Sequence, residues 1–362
     1  MEKKRVGVIG ATGMVGQRLL LLLEKHPYFE VQVLAASARS AGKNYEEAVG
    51  TRWKLSEPMP QVFRKMPVLD ASNVPEVAGR CDFVFCAVNG RQDAVRELEE
   101  AYARAECPVV SNNSANRCLA DIPMLIPEIN PEHLAVIPEQ KRRLGSGHGF
   151  IVVKPNCSVQ SYVPALAPLL RYGIREVVVS TYQAISGAGK IFSEWREMED
   201  NVIPWIRGEE EKSEVEPRWI FGSVREGKIH AAEGLRLSAQ CIRVPVTDGH
   251  IATVFVKFCR KPTKEEILAA WSRYSGKPQV LSLPHAPKQF LTYFEEEDRP
   301  QPRLDRDLFG GMGIALGRLR EDPVFDYKFV GLSHNTLRGA AGGAVLTAEL
   351  LYREGYFERG TG

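Results

Sequence analysis

The chain opens with a short apolar run, residues 5–9, that ends at Gly10, and a helical pattern follows from Met14 to Lys25. A second apolar run covers Val31–Ala36. Strand, glycine turn, helix, strand is a βαβ unit. Further buried strands are expected at Phe83–Val88 and Pro108–Ser111, with a polar helix at Gln92–Ala105 between them. That alternation predicts a Rossmann-like, doubly wound parallel sheet, an α/β arrangement, over residues 1–154.

Beyond Gly145-Ser146-Gly147-His148-Gly149 the pattern changes. A strand is expected at Ile151–Lys154, a helix at Val159–Arg171 and a strand at Glu176–Gln183. Period-two alternation then marks Leu235–Val246 and Ile251–Phe258, joined by a turn at Thr247-Asp248-Gly249, and later Met312–Leu319 and Phe325–Leu332. Such alternation suits an antiparallel sheet with one covered face. Residues 155–334 are therefore expected to form an α+β domain with a mixed or antiparallel sheet. A last helix from Leu337 to Arg353 lies in the stretch 335–362, which is expected to complete the first domain.

A length of 362 residues makes two domains the default. Net charge is +2, and no basic block exceeds Lys141-Arg142-Arg143. A nucleic-acid reader would show a basic face or stripe, so no nucleic-acid partner is expected. Leu19–Leu23 is far too short for a membrane span, and Met-Glu-Lys-Lys-Arg runs straight into the first strand, leaving no room for a signal peptide. The 7 cysteines are odd in number and form no C-x-x-C pair, which argues for reduced thiols, a cytoplasmic setting and no metal site.

The glycine turn Gly10-Ala11-Thr12-Gly13-Met14-Val15-Gly16 lets the backbone approach a pyrophosphate at a helix start. The residue-level alternative is a packing turn with no ligand. The second strand ends without the carboxylate that an NAD site uses for ribose hydroxyls; instead it offers Ser37, Arg39 and Ser40. Positive charge between hydroxyls suits a 2′-phosphate and favours NADP, unless Arg39 is an ordinary surface arginine.

Cys157, in Lys154-Pro155-Asn156-Cys157-Ser158, falls where a strand gives way to a helix, and a helix start favours thiolate. Cys81, Cys86, Cys241 and Cys259 lie in apolar runs, and Cys107 and Cys118 precede turns; these read better as small buried hydrophobes. Among the 7 histidines, His250 follows a turn between two strands, where a side chain can overhang a cleft. Arg243 ends the apolar face made by Leu235, Leu237, Ala239 and Cys241. A buried arginine needs an anion, either a substrate carboxylate held by two parallel hydrogen bonds or one of the chain's own carboxylates.

Taken together, several segments resemble the aspartate-semialdehyde dehydrogenase family, in its archaeal and fungal branch. They are Pro-Asn-Cys157-Ser, Gln183-Ala-Ile-Ser-Gly-Ala-Gly, Cys-Ile-Arg243-Val-Pro-Val-Thr-Asp-Gly-His250, Ser37–Lys43, Ser111–Arg117, Gly208–Lys212, Arg299–Asp305 and His334–Gly342. The resemblance spans nearly the whole chain. It implies Cys157 as nucleophile, His250 as acid–base partner, Gln183 as the residue orienting the acyl group and Arg243 as the grip on the substrate carboxylate. It further implies Glu210 on the substrate amine, and Arg117, Asn156 and Lys212 on phosphate. Ser186, Gly187, Gly189, Asn335 and Thr336 would face NADP, and residues 155–334 would form the catalytic and dimerisation part of a homodimer or homotetramer. One segment departs from the family pattern: Lys190-Ile191-Phe192-Ser193-Glu194-Trp195 replaces an aromatic-Pro-Gly stretch.

The implied reaction is reduction of L-aspartyl 4-phosphate to L-aspartate semialdehyde, with release of phosphate, through a thioester on Cys157. Backbone N–H groups after Cys157 are expected to stabilise the oxyanion. Malonyl-CoA reductase and N-acetyl-glutamyl-phosphate reductase are alternatives on the same scaffold, and a non-catalytic NADP sensor is a remoter one.

Overall fold

The computed structural model describes residues 2–358. Its first sheet contains β1 (Lys4–Ile9), β2 (Phe29–Ala36), β3 (Val68–Asp70), β4 (Phe83–Cys86), β5 (Val109–Ser111) and β6 (Ile151–Val153), in the order β3-β2-β1-β4-β5-β6 with every pairing parallel. This is the doubly wound order, and such sheets bind ligands outside the carboxyl ends of their strands. β4 and β5, inside the sheet, and β6 at its edge are buried along their whole length, as parallel strands covered on both faces are.

The second sheet contains β7 (Ile174–Gln183), β10 (Arg236–Arg243), β11 (His250–Phe258), β12 (Leu291–Phe294), β13 (Ile314–Glu321) and β14 (Tyr327–Ser333); β8 (Ser223–Arg225) and β9 (Lys228–His230) form a separate hairpin. The order is β10-β7-β11-β14-β13-β12, and two of its pairings, β10 with β7 and β12 with β13, are parallel. The sheet is therefore mixed. The two strands flanking the Thr247-Asp248-Gly249 turn do not pair with each other, contrary to a simple hairpin reading; β10 and β11 lie on opposite sides of β7.

This arrangement positions chemistry. Gln183 ends β7 and pairs with Arg243, which ends β10, while His250 begins β11 one step past the Ile251–Tyr182 pair. Three neighbouring strands thus present Gln183, Arg243 and His250 at one edge.

The helix expected at Val159–Arg171 is broken. A 3-10 turn at Ser158–Ser161, a single α-turn at Val163–Leu166 and a 3-10 stretch at Ala167–Tyr172 replace it. Pro164 and Pro168 each lack the N–H that a continuous helix needs, and their rings crowd the preceding turn. The final helix runs Gly342–Arg353 after a π-turn at Leu337–Ala341. It is buried along nearly its whole length and packs with Val6, Val8, Phe83 and Phe85 of the first sheet. Residues 359–362 of the expected C-terminal stretch lie outside the described residues.

Candidate active site

Two adjoining cavities open at the carboxyl ends of the first sheet. One, of about 520 Å³, is lined by Thr12, Gly13, Met14, Val15, Arg117, Asn156, Cys157, Ser186, Gly187, Gly189, Asn335 and Thr336. The other, of about 510 Å³, is lined by Gly10, Thr12, Gly13, Ser37 and Arg39. The glycine turn is built for close approach. Gly10 has φ +85°, and a Cβ there would lie 2.4 Å from the Ala87 carbonyl oxygen; a Cβ on Gly16 would lie 2.3 Å from the Gly10 oxygen. A Cβ on Gly13, at the start of the helix Met14–Leu23, would meet only the Gly10 oxygen, at an ordinary contact distance of 3.5 Å, so Gly13 is not closely packed.

Arg39 is exposed and, among the described residues, enters no ion pair. Ser40, expected beside it, is buried and absent from the cavity lining, because its N–H closes a turn onto the Ser37 carbonyl. The sequence reading missed Asp70, which ends β3 and lines the same cavity. Hydrogen bonds from the Ser72 N–H and hydroxyl hold its carboxyl below the usual range. Asn335 ties the two halves of the first cavity together: its amide donates to Ser186 Oγ at 2.8 Å and its oxygen accepts the Gly249 N–H at 2.8 Å.

Cys157 follows β6 and is partly buried. The π-turn backbone packs directly on it, since a Cβ at Gly339 would stand 2.8 Å from the Cys157 Cβ. Burial, reinforced by the Glu209 charge, pushes the thiol pKa up, against the pull of Lys154, Arg117 and Arg243. The lowering expected from a helix start is outweighed, because only a four-residue 3-10 turn follows. The N–H of Ser158, expected as an oxyanion donor, is committed to Asn156 Oδ1 at 2.8 Å.

His250 is fully buried, and its Nε2 lies 3.5 Å from Cys157 Sγ. Its Nδ1 accepts the Ala184 N–H at 3.1 Å, so in the neutral ring the proton sits on Nε2, facing sulfur. Burial, then the charges of Arg243 and His334, hold its pKa well below the usual value, outweighing the opposing Gly249 carbonyl. The pair is thus neutral imidazole donating towards sulfur.

Arg243 is 5% exposed and forms no ion pair among the described residues; its Nη1 donates to the Ala184 carbonyl at 2.6 Å. Burial lowers its pKa, and the internal salt bridge left open by the sequence is not there. Gly187 closes over both side chains, as a Cβ there would stand 2.8 Å from Arg243 Nη1 and 3.1 Å from His250 Nε2.

The residue that joins this group from the helix Glu209–Ile220 is Glu209, not Glu210. Glu209 is buried and accepts from Asn156 Nδ2 at 3.0 Å, Gln183 Nε2 at 3.3 Å and Lys212 Nζ at 2.9 Å. Glu210, one position on, faces the β10 backbone, where it accepts the Cys241 N–H at 3.3 Å. The i,i+3 relation to Lys212 was the available signal, since it puts Glu209 and Lys212 on one helix face. Arg117 is likewise already paired, with Glu216 at 2.9 Å, and also donates to the Lys154 and Asn112 carbonyls.

Other lining residues escaped the sequence reading: Arg52, Lys54, Asn112 and Lys154. Lys54 bridges to the departing segment, with its Nζ 2.7 Å from both the Gly189 carbonyl and Glu194 Oε2. Within that segment Lys190 sits over the Trp195 ring at 4.3 Å. Of the remaining cysteines, Cys259 is exposed rather than buried, because it lies just past the end of β11; Cys118 is partly exposed.

Comparison with known proteins agrees with this geometry. The semialdehyde dehydrogenase NAD-binding-domain family matches residues 5–137, and the semialdehyde dehydrogenase dimerisation-domain family matches residues 166–338. The chain is 45% identical over 351 residues to aspartate-semialdehyde dehydrogenase of Archaeoglobus fulgidus, covering 96% of this chain and 98% of that protein. With the Aspergillus fumigatus enzyme it shares 42% identity, over 98% of each chain. The crystal structure of the Candida albicans aspartate-semialdehyde dehydrogenase with NADP superimposes with a TM-score of 0.88 at 38% identity, covering 98% of this chain and all (100%) of that one. With two matching domains, near-complete coverage and a shared fold, the chain belongs to the aspartate-semialdehyde dehydrogenase family.

Proposed function

We propose that the chain catalyses the NADP-dependent reductive dephosphorylation of L-aspartyl 4-phosphate to L-aspartate 4-semialdehyde through a thioester on Cys157. The observation that carries this reading is the buried Arg243, which enters no ion pair among the described residues, beside the Cys157–His250 pair. A buried guanidinium without a carboxylate is costly until a ligand brings one.

Cys157 Sγ attacks the acyl carbon, and the oxyanion accepts the proton-bearing Nε2 of His250 as its hydrogen-bond donor. Gln183 orients the acyl group. Arg243 grips the α-carboxylate, and Glu209 meets the amine in the role first expected of Glu210. Lys212 and Arg117 exchange part of their pairing with Glu209 and Glu216 for the phosphate, with Asn156 beside them. Phosphate leaves and the thioester remains.

The glycine turn and Arg39 fit a bound NADP, whose pyrophosphate would lie in the cavity lined by Gly10, Thr12 and Gly13. When bound, the reduced nicotinamide supplies the hydride. The alkoxide then collapses, Cys157 departs as thiolate and the aldehyde is freed. A thiolate leaves readily, which is why cysteine suits this step better than serine.

We further infer a division into residues 1–154 with 335–362 for the cofactor and 155–334 for catalysis and dimerisation. In support, the strands of the two sheets fall wholly within 4–153 and 174–333. We also infer a homodimer or homotetramer; the match to a dimerisation-domain family supports self-association. No helix of the described residues is long and apolar enough to cross a membrane, and none of the seven cysteines, all among the described residues, is in a disulfide, which suits a reducing, cytoplasmic setting. The test is NADPH formation from L-aspartate semialdehyde, NADP and phosphate, beside NAD and phosphate-free controls. Turnover without phosphate, or none with an intact fold, would overturn the reading.

A further inference from the structure

Thr12, Gly13, Arg52, Ala87 and Asn89 line both cavities, so they form the seam between the one that holds Cys157 and the one that holds Arg39. A dinucleotide with its nicotinamide beside Cys157 and its 2′-phosphate beside Arg39 has to carry its diphosphate across that seam. The helix Met14–Leu23 presents its positive end there, with no acidic residue in its first turn and no side-chain cap on Gly13. That end amounts to about half an elementary charge, less than a diphosphate carries.

Arg52 is the only charged residue of the seam among the described residues. It closes the 3-10 turn Gly50–Arg52, directly after the short helix Tyr45–Val49. Two side chains fix that stretch to the glycine turn. The hydroxyl of Tyr45, itself fully buried, donates to the Ala11 carbonyl at 2.8 Å. The buried Gln17 amide donates to the Thr12 carbonyl at 3.0 Å and to the Arg52 carbonyl at 2.8 Å, and its oxygen accepts the Lys54 N–H at 2.9 Å.

The Arg52 side chain is exposed, and its Nη2 donates to the Ala48 carbonyl. Among the described residues it enters no ion pair, whereas Lys54 is tied to Glu194 and Arg117 to Glu216. No carboxylate therefore has to be displaced before Arg52 meets an anion.

We propose that Arg52 grips the diphosphate bridge of the cofactor, and with the start of the helix Met14–Leu23 makes an anion site distinct from the Arg39 site for the 2′-phosphate.

The inference rests on the NADP reading above. A guanidinium suits the task, because its planar fork matches phosphate oxygens with parallel N–H donors where an ammonium offers a single point of charge. The diphosphate is common to NADP and NAD. Arg52 thus adds affinity for either cofactor, and the choice between them stays with Arg39 and Asp70.

The test is calorimetric titration of the whole protein with three probes. NADP is the first. The second, 2′-phospho-ADP-ribose, keeps the diphosphate and lacks the nicotinamide. The third, adenosine 2′-monophosphate, lacks the diphosphate and is read by displacement of NADP. Arg52→Met is expected to weaken the first two at least about tenfold, as loss of a charge-assisted hydrogen bond does, and to leave the third within about twofold of wild type. Arg52→Lys keeps the charge without the fork and should lose about threefold to tenfold on the first two alone. It carries the same comparison if circular dichroism shows that Arg52→Met does not fold. Arg39→Ala, by contrast, should weaken all three. Both diphosphate probes within about twofold of wild type in Arg52→Met would overturn the proposal. So would an equal loss on all three probes, which would put Arg52 at the adenosine end. A wild type that binds none of the three would instead overturn the NADP reading itself.

Discussion

Arg243 and His250 are joined through a single residue: the Ala184 carbonyl accepts Arg243 Nη1 at 2.6 Å, and the Ala184 N–H donates to His250 Nδ1 at 3.1 Å. Substrate grip and acid–base geometry therefore share one backbone anchor. Lysine at 243 would carry the charge but not the planar fork, and the Ala184 carbonyl would lose its guanidinium donor and keep only the Gly187 N–H. Arg243→Lys is expected to lower kcat/KM about 100-fold or more, with losses in both kcat and KM. Unchanged KM and kcat would remove Arg243 from the site.

The exchange of Glu210 for Glu209 makes a paired prediction. Glu209→Gln removes a buried carboxylate held by Asn156, Gln183 and Lys212, and should cost at least about tenfold in kcat/KM for L-aspartate semialdehyde. Glu210→Gln, which keeps an acceptor for the Cys241 N–H, should stay within about threefold. The reverse order of losses would restore Glu210 to the amine.

How much of this was legible depended on range. The βαβ start was readable because its signals, an apolar run, a glycine turn and a helical period, are local. The second sheet was readable as faces but not as neighbours. Alternation put Cys241 and Arg243 on one side, yet pairing across β7 is a long-range choice that periodicity does not encode. Glu209 was passed over because motif matching was read without the helix face. Thiolate activation of Cys157 was overestimated because Pro164 and Pro168 break the helix expected to support it. Lys154 reads as an ordinary strand-end lysine; only the packing of residues 337–343 over it makes it a buried amine.

Cys157→Ser tests the covalent step. Serine is close in size and keeps the contact with Gly339, so NADP affinity should change by less than about threefold. Turnover should fall by about 1,000-fold or more, because an alkoxide is both harder to form and a poorer leaving group. Near-normal activity in this variant would end the thioester proposal.

Stability should depend on a buried cluster away from the site. Glu349 Oε1 lies 2.8 Å from His26 Nε2 and 2.5 Å from His285 Nδ1, and its Oε2 accepts the His285 N–H at 3.1 Å. The cluster ties the final helix to the end of the first. Burial alone would raise the Glu349 carboxyl, but the bonds from His26 and His285 outweigh it and hold its pKa below the usual value. A depressed carboxyl contributes stability above its unfolded pKa, about 4.3, and loses it as pH falls through the folded value. Glu349→Gln should thus melt several degrees below wild type at pH 7, a cost of about 1–3 kcal/mol, with the gap narrowing below about pH 4.3. Thermal melts from about pH 2.5 to 8 would read it; a gap that widens on acidification would contradict the assignment.

Cofactor preference turns on two opposed charges in the second cavity. Arg39 is exposed and enters no ion pair among the described residues, whereas the Asp70 carboxyl is held below its usual range by two hydrogen bonds from Ser72. A 2′-phosphate bound there gains from the guanidinium and is repelled by the carboxylate, while the neutral 2′-hydroxyl of NAD gains little from the guanidinium and can donate to the carboxylate. Arg39→Ala should therefore lower kcat/KM for NADP about 10- to 100-fold, in line with loss of a charge-assisted hydrogen bond, and change NAD by less than about twofold. Asp70→Asn should move the preference the other way, tightening NADP by about twofold to fivefold. Both effects should shrink as salt rises, since the groups face solvent. Steady-state kinetics with both cofactors at two ionic strengths would decide it: equal losses for NADP and NAD in Arg39→Ala would mean that the arginine shapes the turn and does not read the phosphate.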